Sequence, residues 1–187
     1  MFIELHTRSA FSFLRGASLP EDLVARAAEL GCPAIAITDH LGFQGSARAH
    51  AAARQHGIRA LVGTTLEVPS SKGQVPIPSV VALAANRTGY TQLCRHLTDR
   101  GCPGPGQAVA AAARRNTRLC HKATHAPWNF ELQTWNFPRN AVVALTGDRG
   151  HLLPRFLLQD KKHKAEAFVR QLIATFGHEN VFIHLTR

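Results

Sequence analysis

The chain has 187 residues, of which 45% are hydrophobic and 18% charged, a composition typical of a globular domain rather than a disordered segment. No apolar run reaches the ~20 residues that span a bilayer, and the N-terminus does not resemble a signal peptide, so we expect a cytoplasmic protein without a membrane partner. The formal net charge of +10 makes DNA a candidate partner through neutralisation of its phosphates.

Strand and helix patterns alternate along the chain. A capping box from Ser18 to Glu21 predicts the start of the first helix, and Gly31 predicts its end. The predicted strands cover residues 2–6, 34–38, 60–68, 79–85, 141–146 and 180–185, and the predicted helices cover residues 18–30, 45–56, 88–100 and 164–176. Residues 69–78, rich in Pro, Ser and Gly, are predicted to be a loop, with a hairpin as one option.

This alternation predicts an α/β fold with parallel strands and outer helices. The chain has too few units for a complete barrel and stops on a strand, so we expect an incomplete or distorted β/α barrel, truncated at its C-terminus. The whole chain, residues 1–187, is then one domain. Residues 101–140 lose the pattern and are predicted to be an irregular insertion or long loop within it.

One buried strand ends directly in two reactive side chains, Asp39 and His40. Ligands bind at the carboxyl ends of strands in α/β sheets, so this position suits a metal or a phosphate. The alternative is that Asp39 caps the following turn and that His40 is a solvated loop residue.

The cysteine pattern is uninformative about chemistry. The four cysteines are Cys32, Cys94, Cys102 and Cys120. With no Cys-x-x-Cys pair, they are most simply reduced thiols. A zinc cluster of Cys102, Cys120, His121 and His125 is the alternative, but this spacing matches no closed zinc module.

Several motifs, taken in order, resemble a known family. They are Phe2-Ile3-Glu4-Leu5-His6, Ser12-Phe13-Leu14-Arg15-Gly16-Ala17-Ser18, Ile37-Thr38-Asp39-His40, Leu83-Ala84-Ala85-Asn86-Arg87-Thr88-Gly89-Tyr90 and Ala144-Leu145-Thr146-Gly147-Asp148-Arg149-Gly150. Together they resemble the polymerase and histidinol phosphatase (PHP) domain family, and within it the N-terminal domains of error-prone DNA polymerase III alpha subunits.

The resemblance implies a distorted β/α barrel whose strand ends hold up to three ions of zinc, manganese or iron. Such ions lower the pKa of a bound water and clamp phosphate oxygens, which is the chemistry of a phosphoesterase or of a proofreading exonuclease. The ligands that the family pattern leaves in this chain are His6, Asp39, His40, Glu67 and Asp148.

The sequence departs from the family at four ligand positions, which carry Arg8, Arg15, Thr65 and Ser79. A guanidinium cannot ligate a cation and would repel it. The two arginines could instead pair with Asp39 or Glu67. Glu67 lies two residues beyond Thr65, on the same face of the strand and roughly 7 Å further along.

These departures favour a metal-degenerate structural and interaction module in DNA replication and repair. It would bind no cofactor, and its partners would be the rest of a polymerase chain and other replication or translesion proteins. This chain would then be inactive, within a parent DNA-directed DNA polymerase.

The first alternative is a phosphoesterase or 3′–5′ exonuclease that uses a divalent metal on DNA or phosphate esters. The second is a basic nucleic-acid-binding module whose affinity falls steeply with salt.

Overall fold

Six strands form one mixed sheet that curls into a half-barrel, and helices pack against it. The computed structural model describes residues 2–68, 79–101, 135, 137–147 and 151–184. The strands are β1 (Glu4–Thr7), β2 (Ala34–His40), β3 (Arg59–Glu67), β4 (Ser79–Ala84), β5 (Val142–Leu145) and β6 (Val181–Phe182). The helices are α1 (Pro20–Glu29), α2 (Ser46–His56), α3 (Arg87–Gly101), α4 (Leu152–Leu158) and α5 (Lys162–Phe176), with a 3₁₀ turn at His178–Asn180.

The strands follow one another across the sheet in chain order. The pairs β1–β2, β2–β3 and β5–β6 are parallel, whereas β4 is antiparallel to both β3 and β5. The expected α/β half-barrel is confirmed, but the expectation of parallel strands throughout does not hold for β4. The short link over residues 69–78 leaves no room for a crossover helix, and a parallel pair would need one.

This topology brings one end of every strand to the same rim. In the β3–β4 register, Glu67 at the end of β3 lies opposite Ser79 at the start of β4. The rim therefore carries the carboxyl ends of five strands and the amino end of β4. We refer to it below as the site rim.

Alternation along β2 sends its side chains to two different layers. Ile35 and Ile37 pack with Val24 of α1 and Ala49 of α2, while Ala36 packs on the concave face. A larger apolar cluster lies on the outer side of β4 and β5, beneath α3, α4 and α5. Adjacent residues at the end of β2 are therefore directed to opposite faces.

Two local features differ from the sequence predictions. Helix α1 begins at Pro20 without a side-chain cap, and the carbonyl of Ser18 instead accepts a hydrogen bond from Ala10 N, so the capping box is wrong. Helix α4 was not predicted, because it contains Pro154, which a helix tolerates only in its first turn. Trp135 and Phe137, which fall in the segment predicted to be irregular, are buried in the core. No helix in the described ranges is long and apolar enough to cross a membrane.

Candidate functional site

At the site rim, the His40 ring is held between an arginine and a carboxylate. Nη1 of Arg15 lies 3.2 Å from Nδ1 of His40, and Oε1 of Glu67 lies 3.0 Å from Nε2. A guanidinium has donors only, so Nδ1 must be the acceptor and the ring proton must be on Nε2, which donates to Glu67. Both ring nitrogens are therefore engaged by protein groups.

The surroundings of His40 favour its neutral form. Burial lowers the pKa of this imidazole below its ordinary value, the Arg15 guanidinium lowers it further, and Arg8 adds a smaller effect of the same sign. The Glu67 carboxylate acts in the opposite direction without reversing the shift. His40 is thus not the solvated loop residue of the alternative interpretation, since its side chain is only 19% exposed.

Asp39, the neighbour of His40, is 1% exposed and its carboxylate meets the loop that follows β1. It accepts hydrogen bonds from the backbone N–H of Ser9 at 2.8 Å, from the Ser9 hydroxyl, and from the Ser12 hydroxyl at 2.7 Å. Each hydroxyl also accepts a backbone N–H, from Phe11 and His40 respectively, which directs its own proton towards Asp39. Asp39 therefore anchors this loop and does not cap the turn that follows β2.

Two of the substituted ligand positions are built into the sheet. Thr65 is fully buried, and its hydroxyl donates to the carbonyl of Thr38 at 3.0 Å. Ser79 is buried at the start of β4, opposite Glu67. Glu67, two residues beyond Thr65, is the carboxylate that reaches His40.

His6 lies at the same rim, in contact with two histidines that the sequence did not single out. Its ring centroid is 5.2 Å from that of His151 and 5.6 Å from that of His184, both in edge-to-face geometry. His184 lies just after the last strand and His6 close to the end of the first, and this likeness of position is a signal that the sequence offered. His151 follows no such pattern. Among the described residues, no group of three or more His, Cys, Asp and Glu side chains is placed to hold a metal ion.

The two arginines do not form the ion pairs that the sequence suggested. Arg15 bonds to the His40 ring and not to a carboxylate. Arg8 is half-buried, its Nε is shielded from solvent, and it has no acceptor within the described part of the chain. The expected pairing with Asp39 or Glu67 is therefore wrong: Asp39 accepts from the two serines, and Glu67 contacts His40.

Asp148 and the zinc candidates Cys102, Cys120, His121 and His125 lie outside the described residues. Cys32 and Cys94 are half-buried free thiols. A cleft of about 880 Å³ lies at the opposite end of the sheet, beside Phe137, Phe176 and Asn180, and contains none of the predicted site residues.

Almost the whole chain matches a known protein family. Residues 4–187 match the PHP domain. The chain belongs to the PHP domain family. The error-prone DNA polymerase of Cutibacterium acnes is 35% identical over 190 residues, which is 99% of this chain and 15% of that polymerase. The error-prone DNA polymerase of Anaeromyxobacter sp. (strain K) is 44% identical over 117 residues, or 63% of this chain and 10% of the relative.

A solved structure shares the fold of this PHP domain. An amidohydrolase from Chromobacterium violaceum, described with bound SO4 and no metal, superposes with a TM-score of 0.50 at 20% identity. The match covers 88% of this chain and 73% of that one. The resemblance to PHP domains and the expected half-barrel are both confirmed. This PHP domain spans only about a tenth to a seventh of the two polymerases described here.

Proposed function

We propose that this PHP domain is a metal-free structural and interaction module of an error-prone DNA polymerase, acting in DNA replication and repair in the cytoplasm. The similarity to error-prone polymerases supports the association with DNA synthesis. The small share of those polymerases that the chain spans supports a role as one domain of a larger polymerase. Its partners are then the remainder of such a chain and the replication or translesion proteins that meet it.

The observation that carries the metal-free assignment is the state of His40. A histidine binds a metal through a ring-nitrogen lone pair. Here Nδ1 uses its lone pair to accept from Arg15, and Nε2 carries a proton directed at Glu67. Any cation bound to His40 would also meet the positive charge of Arg15 and would have to displace one of these contacts.

The Asp39 carboxylate supports the same assignment. Three donors from Ser9 and Ser12 already surround it inside the protein. Ligation of a cation would break hydrogen bonds that hold the loop after β1 against the sheet. The residues at the rim therefore suit a fixed ionic and hydrogen-bonded arrangement better than a metal centre.

The second candidate function is a phosphoesterase or 3′–5′ exonuclease that depends on a divalent metal. It is favoured by the three histidines His6, His151 and His184, which come from three segments and lie at one rim. Imidazoles are common ligands of zinc, manganese and iron.

Elemental analysis separates the two functions. The protein is purified after growth with added zinc, manganese and iron, and is then assayed on single-stranded DNA with manganese. We expect no stoichiometric metal and no hydrolysis above the level of a buffer blank. Bound metal, together with activity lost in His40→Ala but kept in the surface variant His56→Ala, would establish the hydrolase and exclude the metal-free module.

A further inference from the structure

Within the part of the chain that the structure describes, two guanidiniums at the site rim lack a negative partner. We propose that Arg8 and Arg15 together bind a phosphate group at the carboxyl ends of β1 and β2. This inference rests on the proposed metal-free function, because bound cations would compete with the two arginines for the same place. The site would thus have exchanged recognition of phosphate through metal ions for recognition through guanidiniums.

The backbone brings the two arginines together. A Cβ on Gly16 would overlap the carbonyl oxygen of Ser9 and would lie 2.9 Å from that of Arg8, so the loop folds directly back onto the end of β1. The N–H groups of Arg15 and Gly16 both donate to the carbonyl of Ser12. Residue 15 is therefore fixed beside residue 8 by a tight turn and does not depend on a mobile loop tip.

The side chains are also oriented. Arg15 donates to Nδ1 of His40 through Nη1. This contact uses one of the five N–H donors of the guanidinium. Burial, then Arg15 and, least, Arg8 lower the pKa of His40, the direction expected of positive charges on the same side of the ring. Arg8 at the end of β1 and Arg15 on the ring of His40 accordingly belong to one neighbourhood of the rim.

The nearby carboxylates do not neutralise this pair. Asp39 is directed to the other face of the sheet, where Ser9 and Ser12 hold it. Glu67 is in contact with Nε2 of His40. Within the described ranges, no carboxylate lies within 4.0 Å of the guanidinium of Arg8 or Arg15.

Arg8 provides the sharper indication of a ligand. Among the described residues its buried Nε has no acceptor, and the side chain as a whole is half-buried; this is a costly arrangement for a charged group unless an anion binds at the part that solvent reaches. The planar fork of a guanidinium matches two oxygens of a phosphate, and two such forks can hold one tetrahedral anion. His40 adds no negative charge at this place, and the Asp39 carboxylate is enclosed by its own donors from Ser9 and Ser12.

Calorimetric titration of the 187-residue chain with inorganic phosphate tests this directly, at low salt and with a chelator present. We expect saturable binding that equal ionic strength of chloride does not reproduce. Arg8→Gln and Arg15→Gln should each weaken it by about tenfold to a hundredfold, since each removes charge-assisted hydrogen bonds. Arg170→Gln, which removes an exposed arginine of α5 paired with Glu166, is the matched control and should bind like the parent.

Further titrations identify the class of phosphate that binds, and a folding control shows whether a variant has unfolded. Thymidine 5′-monophosphate and the dinucleotide dTpdT distinguish a phosphate monoester from the diester of a DNA backbone. Arg8→Lys keeps the charge but loses the fork, so we expect intermediate affinity, and circular dichroism checks that each variant is folded. Parental affinity in both folded glutamine variants, or no binding beyond that of chloride, would overturn the proposal.

The two proposals fail separately. Stoichiometric metal in the purified protein would remove the metal-free function, whatever the phosphate titration gives. If the protein binds neither metal nor phosphate, the metal-free function stands and only the proposed anion site is excluded.

Discussion

The guanidinium of Arg15 donates to Nδ1 of His40 across 3.2 Å and thereby fixes the ring tautomer. Protonation of Nδ1 would place two donors face to face, so the contact favours the neutral ring. The Arg15–His40 contact is thus an electrostatic constraint on the imidazole as well as a structural link between the loop after β1 and the end of β2.

The first prediction concerns Arg15→Gln. Removing the guanidinium should raise the pKa of His40, because one of the causes that lowers it disappears while Glu67 continues to favour the cation. The ring ¹⁵N and ¹H shifts of His40, followed by NMR across a pH titration, measure this. Arg26→Gln, which disrupts only an exposed pair with Glu29, is the control and should leave the titration unchanged. An unchanged pKa in Arg15→Gln would mean that the guanidinium does not act on the ring.

The second prediction concerns the pH dependence of stability. Since the pKa of His40 is lower in the folded state than its ordinary value of about 6.5, the unfolded chain binds the proton more readily. The free energy of unfolding should therefore fall as the pH drops below about 6.5, until the folded-state pKa is passed.

The variant His40→Gln should lose less stability than the parent over the same pH interval. Urea unfolding at pH 7.5 and at successively lower pH gives the two slopes, and His56→Gln is the exposed histidine for comparison. Parallel slopes for the parent and His40→Gln would show that His40 is not protonated preferentially in the unfolded chain.

The third prediction concerns the buried carboxylate. Asp39→Asn removes the charge that three donors from Ser9 and Ser12 surround, and should reduce the free energy of unfolding by about 2 kcal/mol or more. Ser12→Ala should cost about 1–3 kcal/mol, because the N–H of His40 also loses its acceptor. The double variant should fall short of the sum of the two, with a coupling of about 0.5–3 kcal/mol.

Chemical unfolding of the four proteins in this cycle measures the coupling. Thr91→Ala removes an exposed helical hydroxyl and should change stability by less than about 0.5 kcal/mol. Additive losses at Asp39 and Ser12 would argue that these side chains do not stabilise each other.

The end of β2 shows how far the sequence could predict the site. A buried β-branched run followed by Asp39 and His40 was enough to place both residues at the rim. The alternation of side chains then separates them, because His40 is directed towards Glu67 while Asp39 is directed towards serines 27 and 30 residues earlier. Pairs so distant in sequence leave no periodic signal, so the pairing of the arginines was predicted incorrectly.

Strand β4 shows the corresponding limit for the fold. Its apolar run predicted a buried strand, and Ser79–Ala84 is one. Such a run has the same pattern in either direction, so the antiparallel orientation depends on the connection and not on the strand itself. The Pro, Ser and Gly content of residues 69–78, which predicted a loop with a hairpin as one option, was the available indication.

The fourth prediction tests the tight loop beside Arg8. Gly16→Ala should destabilise the protein by about 1–3 kcal/mol, because the added Cβ would overlap the backbone carbonyl of Ser9, which cannot move away as a side chain could. Gly31→Ala is the matched control: its Cβ would meet no atom within 4 Å, and only its φ of +71° opposes the change. We therefore expect a loss of about 1 kcal/mol at Gly31. Thermal and urea unfolding compare the two, and a smaller loss at Gly16 than at Gly31 would contradict the close approach.

The fifth prediction concerns the aromatic cluster that closes the core beneath α5. Trp135 contacts His96, Phe137 and Phe176 edge to face, and the Phe137 and Phe176 rings stack with centroids 5.3 Å apart. Trp135→Ala should cost about 3–5 kcal/mol, the usual loss for a large buried aromatic side chain. The control is Phe13→Ala, whose ring is 84% exposed, and it should change stability by less than about 0.5 kcal/mol.

Urea unfolding followed by far-ultraviolet circular dichroism measures both variants without relying on tryptophan fluorescence, which the first substitution alters. A loss below about 1 kcal/mol in Trp135→Ala would mean that this segment rests on the core without stabilising it. The expected large loss would instead make the end of the irregular region part of the same cooperative unit as α5, since the ring of Phe176 contacts both Trp135 and Phe137.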